Sequence, residues 1–511
     1  MRLFFLSLAF IAVILRLNAQ NVTITPTGVT PSFNYPRLTY DAILALSGPI
    51  EGDLAYDLTF KCLRVYNGSK WVCTISNASD FNPNITSIAS AGGNGYDIGQ
   101  SVAVDNVGNV YITGQFEGTA AFGNISVTSA GGIGVFIAKY NRDGQVQWVK
   151  SAGGWGNGFG LGIAVDTSSN VYITGIYHIT ISFENTTLTS AGNSDLYIAK
   201  YNTNGILQWV RSAGGPNSDL ANSIAVDAAG NAYITGYFQG TSTFGTASIT
   251  ATPLPYDDVF IAKYTTNGTF QWVKSAGGSS NDFGYDIAAD SNGNVYVTGS
   301  YFGTAFFDGT PITSEGSNDV FLAKYNTNGG KEWVRSAGGT GTENGQGVAV
   351  DGNGNVYISG NFNTTVRFDN RYVTSKGNND IFIAKYTTDG TNLWLRSAGG
   401  INNENGREIA VDAIGSVYLT GYYNTSAMFG GSSLVSAGYN DLYVAKYSTN
   451  GDFEWATSAG GANDDYGQGI AIDASGNVFV VGNFELKGVY GNKTITSAGS
   501  YDTVVARIEK F

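Results

Sequence analysis

Apolar residues along this chain come in short runs, each about one strand long and each closed by Gly, Asn or Asp. Ser101-Val-Ala-Val-Asp105 is such a run. A Gly-containing turn, 106–109, follows it, and then a second run from Val110 to Phe116. Thr119 to Phe122 and Ile125 to Ser129 flank Gly123-Asn124 and read as a small hairpin. Val135 to Tyr140 is a third run, Asp143-Gly144 a two-residue turn, and Gln145 to Ser151 a fourth run that carries Trp148. β-Branched and aromatic residues between turn formers predict strands. Nothing in this stretch has the 3.6-residue period of an amphipathic helix.

The same pattern recurs. Ser-Ala-Gly-Gly begins at Ser90, Ser151, Ser212, Ser275, Ser336, Ser397 and Ser458, with spacings of 61 except for one of 63 at Pro253-Leu254-Pro255. The first strand of each unit is centred on a small residue, from Ala103 to Ala471, and six units carry a Trp on the fourth strand. Small residues inside and large rings outside suit a wedge-shaped sheet. The expectation is an all-β fold, a seven-bladed β-propeller of about 61-residue, four-stranded repeats. The last unit ends after its third strand. Residues 84–90 precede the first Ser-Ala-Gly-Gly as a fourth strand should, so they are expected to complete the last blade and remove two open edges.

The grammar Asp-x-x-Gly-Asn-Val-Tyr-x-Thr-Gly, Phe-Gly, Thr-Ser-Ala-Gly, Asp-x-Phe-x-Ala-Lys-Tyr, Gly-x-x-x-Trp resembles the bacterial SBBP-type (seven-bladed β-propeller) repeat family over about residues 84–511. The resemblance implies the propeller fold and an exported protein, and it implies little about activity. Ser416 in place of Asn, the Pro253 to Pro255 interruption and the missing last Trp depart from the pattern.

Ahead of the repeats, residues 1–19 read as a signal peptide: Arg2, an apolar run from Leu3 to Leu15, and Leu17-Asn18-Ala19 as a cleavage site. Residues 20–82 read as a small β-rich module, with a short helix over 38–46. Asn67-Gly68 predicts a two-residue hairpin turn, which would put Cys62 opposite Cys73 within disulfide reach. Residues 83–511 are the propeller domain. No later run is long enough to span a bilayer.

Composition narrows the functional classes. Net charge is −13, which disfavours nucleic acid as a partner. His178 is the only histidine and reads as a blade residue; no Ser/His/Asp set, zinc ligand set or phosphate loop is found. Asp351-Gly-Asn353-Gly-Asn355 and Asp290-Ser-Asn292-Gly-Asn294 resemble the start of a Ca²⁺ loop but lack its Gly and Glu, so they read as Asp-capped turns. No cofactor is expected, and Ca²⁺ is the one alternative.

Candidate binding residues lie on the loops that join one unit to the next. Asp97, Asp219, Asp282, Glu343, Glu404 and Asp465 recur there, with Gly158 in the second unit. Asp195, Asp258, Asp319, Asp380, Asp441 and Asp502 form a second ring before the third strands. Two readings follow: an acidic mouth for cations or polyols, or carboxylates that cap loop N–H groups. Trp155, Phe159, Tyr256, Phe283 and Tyr466 break the repeat with aromatic rings, and Arg367, Arg371 and Arg407 break it with bases. Rings beside polar groups suit sugars. The sequence therefore points to a monomeric binding or adhesion scaffold, secreted or on the cell envelope, with a glycan or protein ligand. A polysaccharide-acting enzyme using Asp282 and Glu343, and a spacer without ligand, are the alternatives.

Overall fold

The computed structural model describes residues 85–251 and 253–508, and before them the segments 23–25, 28–30, 37–38, 42–43, 45–46, 48–49, 53–57, 62–66 and 71–73. The expected signal segment, 1–19, lies outside the described residues. The chain divides into two compact units, residues 1–82 with Phe511, and residues 83–510.

In the smaller unit, Arg37–Leu38 runs parallel to Leu54–Asp57, which pairs antiparallel with Cys62–Tyr66, and that with Trp71–Cys73. Among the described residues of this unit, Ile43 and Ala55 are the buried apolar ones, with Leu38 and Tyr66 against them. Two expectations change. Leu38 lies in a strand, and helical geometry among the described residues is confined to Ala42 and Ile43. The hairpin register places Arg64 opposite Cys73 and Tyr66 opposite Trp71, while Cys62 pairs with Asp57. The connection is therefore longer than the two-residue turn at Asn67-Gly68. Cys62 and Cys73 do not stand directly opposite each other.

The larger unit is built from the repeat. In the second repeat, Gly158–Val165, Val171–Tyr177, Asp195–Tyr201 and Leu207–Ala213 form an antiparallel sheet in that order. The small hairpin, Thr180–Phe183 with Thr186–Thr189, does not join this sheet. It pairs with Val146–Gly153, the fourth strand of the preceding repeat (Ala152↔Phe183). Later repeats do the same, as when Lys331–Gly339 receives Thr365–Phe368. At the end of the chain, Lys493–Ile508 pairs antiparallel with Thr86–Gly93 (Thr503↔Ala91, Arg507↔Thr86). Thr86–Gly93 also receives the hairpin strand Thr119–Phe122 of the first repeat.

The first strands contact one another in chain order: Ile98–Val104, Gly158–Val165, Asp219–Val226, Asp282–Ala289, Glu343–Val350, Glu404–Val411 and Asp465–Ile472. The last of these also contacts Ile98–Val104. Apolar cores lie between successive sheets. Tyr357, Ile381 and Ile383 of the fifth repeat pack with Val417, Leu419 and Tyr443 of the sixth. Val110, Ile112 and Phe136 of the first pack with Phe479, Val481 and Val505 of the last.

Polar clasps link neighbouring repeats. The Lys263 ammonium and the Trp272 indole N–H both donate to the Thr327 carbonyl of the next repeat, at 3.0 and 3.1 Å. Lys139 with Trp148 holds Thr203 in the same way, and Lys385 with Trp394 holds Thr449. At the chain end, Arg507 replaces Lys and donates to the Arg142 carbonyl of the first repeat at 2.9 Å.

Candidate binding face

Each Asp of the Asp-x-x-Gly-Asn turns is fully occupied. Asp351 Oδ1 accepts the Asn353 and Asn355 N–H groups, both at 2.9 Å, and Oδ2 accepts the Asn355 amide and the Tyr357 hydroxyl. Burial opposes ionisation there, but these donors outweigh it and hold the carboxyl below its usual range. Asp290 holds Asn292 and Asn294 likewise. Among the described residues, no three His, Cys, Asp or Glu side chains converge as a metal site would need.

The loop acids are buried rather than displayed. Asp97, Asp219, Asp282, Glu343, Glu404 and Asp465 are each at most 1% exposed. Each accepts the N–H of the residue four positions earlier, the second Gly of Ser-Ala-Gly-Gly: Gly93, Gly215, Gly278, Gly339, Gly400 and Gly461. The second ring caps in the same way, Asp319 on Glu315 and Asp441 on Ala437. Of the two sequence readings, capping describes these residues. Their carboxyls lie beneath the surface of the loops, and in several, such as Glu343 and Asp465, the second oxygen is buried without a partner.

The two rings meet in pairs. Beside Gly214, a Cβ would stand 2.6 Å from Asp195 Oδ1 and 3.0 Å from Asp219 Oδ2; beside Gly460 it would stand equally close to Asp441 and Asp465. Burial, reinforced by the charge of Asp258, pushes Asp282 up to about 8. Burial pushes Glu343 to about 8, with Asp319 adding to it, although the Gly339 N–H works the other way. Asp282 and Glu343 thus each face the Asp before them and accept a backbone N–H, from Gly278 and Gly339. In the second repeat Gly158 replaces the acid, and its counterpart in the first repeat is Gly134. Both members of that pair are lost together.

Exposed rings occupy the same loops. Trp155 is 89% exposed, with Tyr439, Tyr96 and Tyr256 also exposed. Leu254 and Ile401 add aliphatic surface. Phe159, Phe283 and Tyr466 are half-buried at the start of the first strands. Phe283 packs on Tyr237 at 4.9 Å and on Tyr285 at 6.0 Å, and Tyr466 packs on Tyr422 at 4.8 Å. His178 edges onto Phe159 and bonds the Asn193 carbonyl. Arg367 pairs with Glu315 at 2.5 Å and Arg371 donates to the Asn392 carbonyl, so both serve locally.

A further set had no place in the sequence reading. Every first strand carries a β-bulge two residues after the loop acid, as at Gly284/Asp286 and Gly406/Glu408. The extra residues are Gln100, Leu161, Asn222, Tyr285, Gln346, Arg407 and Gln468. A bulge re-aims its side chain and increases local twist. At the next register position most repeats have Gly or Ser, but Asp286 and Glu408 stand there. Ser223 Oγ donates to Asp286 Oδ1 at 2.5 Å and the Val348 N–H to Oδ2 at 2.7 Å. Asp286 and Glu408 hydrogen-bond each other, and burial holds both carboxyls above their usual range. They come from the fourth and sixth repeats. Between them Gly347 has no side chain, and a Cβ there would press on Ile409 N at 3.0 Å and Glu408 Cα at 3.1 Å. Comparing this single register across the repeats would have revealed both acids.

The Beta-propeller repeat description (SBBP) matches at residues 91–115, 208–237, 271–300, 332–363 and 454–483. The chain carries SBBP β-propeller repeats. It is 26% identical over 436 residues to an uncharacterized WD repeat-containing protein, L264, of Acanthamoeba polyphaga mimivirus, covering 67% of this chain and 31% of that protein. It is 28% identical over 204 residues to the regulatory protein FlaEY of Caulobacter vibrioides, covering 37% and 21%. The chain thus spans a third or less of these relatives' lengths. Among solved structures it is similar to a luciferin-regenerating enzyme, at 12% identity and TM-score 0.32 over 66% of this chain and 87% of that one. A gluconolactonase from Xanthomonas campestris gives 10% and 0.31 over 66% and 90%. Among the described residues, no helix is long and apolar enough to cross a membrane.

Proposed function

We propose that residues 83–510 form a closed seven-bladed ring whose loop face binds a glycan or protein ligand, in an exported scaffold without catalytic activity. Three contacts support closure: Thr86–Gly93 on Lys493–Ile508, Ile98–Val104 against Asp465–Ile472, and Arg507 on Arg142. Export rests on the apolar run of residues 3–15 alone.

The observation that carries binding is Trp155. An indole left 89% in water contributes nothing to packing, and the other repeats place Asn, Pro, Ser or other residues in its loop. Exposed rings are the usual anchors of recognition surfaces. Of the two ligand classes, glycans are favoured by the combination of rings with carboxamides in the neighbouring first strands. The test is a glycan array probed with the full chain and with Trp155→Ala. Selective binding by the parent, weakened roughly tenfold or more in the variant, supports the reading. Equal binding by both removes Trp155 from it.

A further inference from the structure

The first strands gather, inside the ring, side chains that the fold does not require. Arg407 is the sharpest case. It sits at the bulge position, where three other repeats have Gln, so no structural rule asks for a guanidinium. It is half-buried, and its Nε is fully buried without a hydrogen-bond partner. Its one described contact is the ring of Tyr422, 5.7 Å from the guanidinium carbon. Its charge acts on the Tyr285 phenol, where burial is the larger effect and raises the pKa while Arg407 works the other way. The acids closest along the chain do not serve it. Glu408 and Asp286 are bonded to each other, to Ser223 and to backbone N–H groups. Asn405, on the same strand, has a buried Oδ1 that also lacks a partner.

A guanidinium is planar and carries five N–H donors, and one whose Nε is buried without an acceptor suits an oxyanion. Its surroundings define the rest of the ligand. Phe283, Tyr285 and Tyr422 add aromatic rings, and Gln346, at the same bulge position in the fifth repeat, adds a carboxamide. Carboxamides both donate and accept, as sugar hydroxyls do. We propose that the mouth of the ring binds a uronate-bearing oligosaccharide, with Arg407 holding the uronate carboxylate through paired N–H···O bonds and the rings lying against the sugar. This rests on the glycan-binding reading above and names the sugar class.

Calorimetric titration of the full chain tests it, with three probes: a hexuronate oligomer, the same oligomer with its carboxyls reduced to hydroxymethyl groups, and inorganic phosphate. The expected result is that the uronate oligomer binds roughly tenfold to hundredfold more tightly than the reduced one. In Arg407→Gln that preference vanishes while affinity for the reduced oligomer is kept. Gln fills this position in three repeats, so the variant is expected to melt with the parent; Arg407→Lys, which keeps charge but not the fork, falls between. Equal affinity of the parent for the two oligomers, or a preference that survives Arg407→Gln, overturns the uronate assignment and leaves glycan binding standing. Binding of neither sugar overturns both. Phosphate binding that depends on Arg407, without uronate binding, overturns the sugar assignment in favour of a simple oxyanion site.

Discussion

At the residue scale, the Ser-Ala-Gly-Gly motif and the loop acids explain each other. Beside the first Gly, the Asp of the preceding third strand lies where a Cβ would stand: Asp319 at Gly338, Asp380 at Gly399. Where that Asp is absent the restriction goes with it. At Gly153 the partner is Gly134, and the nearest atom to a Cβ is Ala130 N at 3.4 Å. Gly338→Ala should therefore lower stability by about 1–3 kcal/mol, because Asp319 is short, buried and capped and cannot swing away. Gly153→Ala should be near neutral. Urea unfolding of the two variants checks this; equal losses would contradict it. The sequence displayed these acids at repeat spacing. It did not display their direction, because whether a carboxyl turns to solvent or to the N–H four residues back depends on the loop path. Arg407, by contrast, was visible as an exception, but its lack of a partner emerged only once the neighbouring strands were in place.

At the element scale, strands and turns were legible and their partners less so. The short apolar runs and Gly/Asn turns marked each strand of the repeat. The small hairpin was equally clear as a hairpin, yet its edge pairs with the preceding repeat, and local pattern carries no information about which distant edge a strand meets. The first-strand bulges stayed hidden for a related reason. One added residue between apolar positions resembles ordinary alternation until the register is known. In the small unit the cysteine hairpin failed on turn length, since one extra pair of loop residues shifts every opposition. The strand Thr86–Gly93 carries a prediction at this scale. It pairs with both Lys493–Ile508 and Thr119–Phe122. Deleting residues 84–90 from the full chain exposes two edges, and the thermal midpoint should fall by several degrees or more. An unchanged midpoint would remove this strand from the sheet's support.

At the scale of the whole molecule, paired buried acids give an uncommon pH dependence. Burial pushes Asp219 and Asp319 up to about 7, and Asp282, Glu343 and Asp465 to about 8. In the unfolded chain such groups titrate near 4. Between those values the native state keeps protons that the unfolded state has released. Their stabilising contribution is therefore complete below about pH 4 and is lost as pH rises through about 8. The urea midpoint should fall between pH 5 and pH 9, equivalent to roughly 1 kcal/mol or more per pH unit. A midpoint that is flat or rises over that range would contradict the burial of these carboxyls.

The hairpins that reach back to the preceding sheet have a mechanical consequence. The fifth repeat, for one, is sewn to its predecessor by the main-chain bonds of Thr365–Phe368 and clasped to its successor by Lys385 and Trp394 on the Thr449 carbonyl. A repeat pulled outward must shear one seam and break the other at once. Load applied at any point is thus shared by both neighbours, so the array resists being peeled unit by unit and yields as a whole.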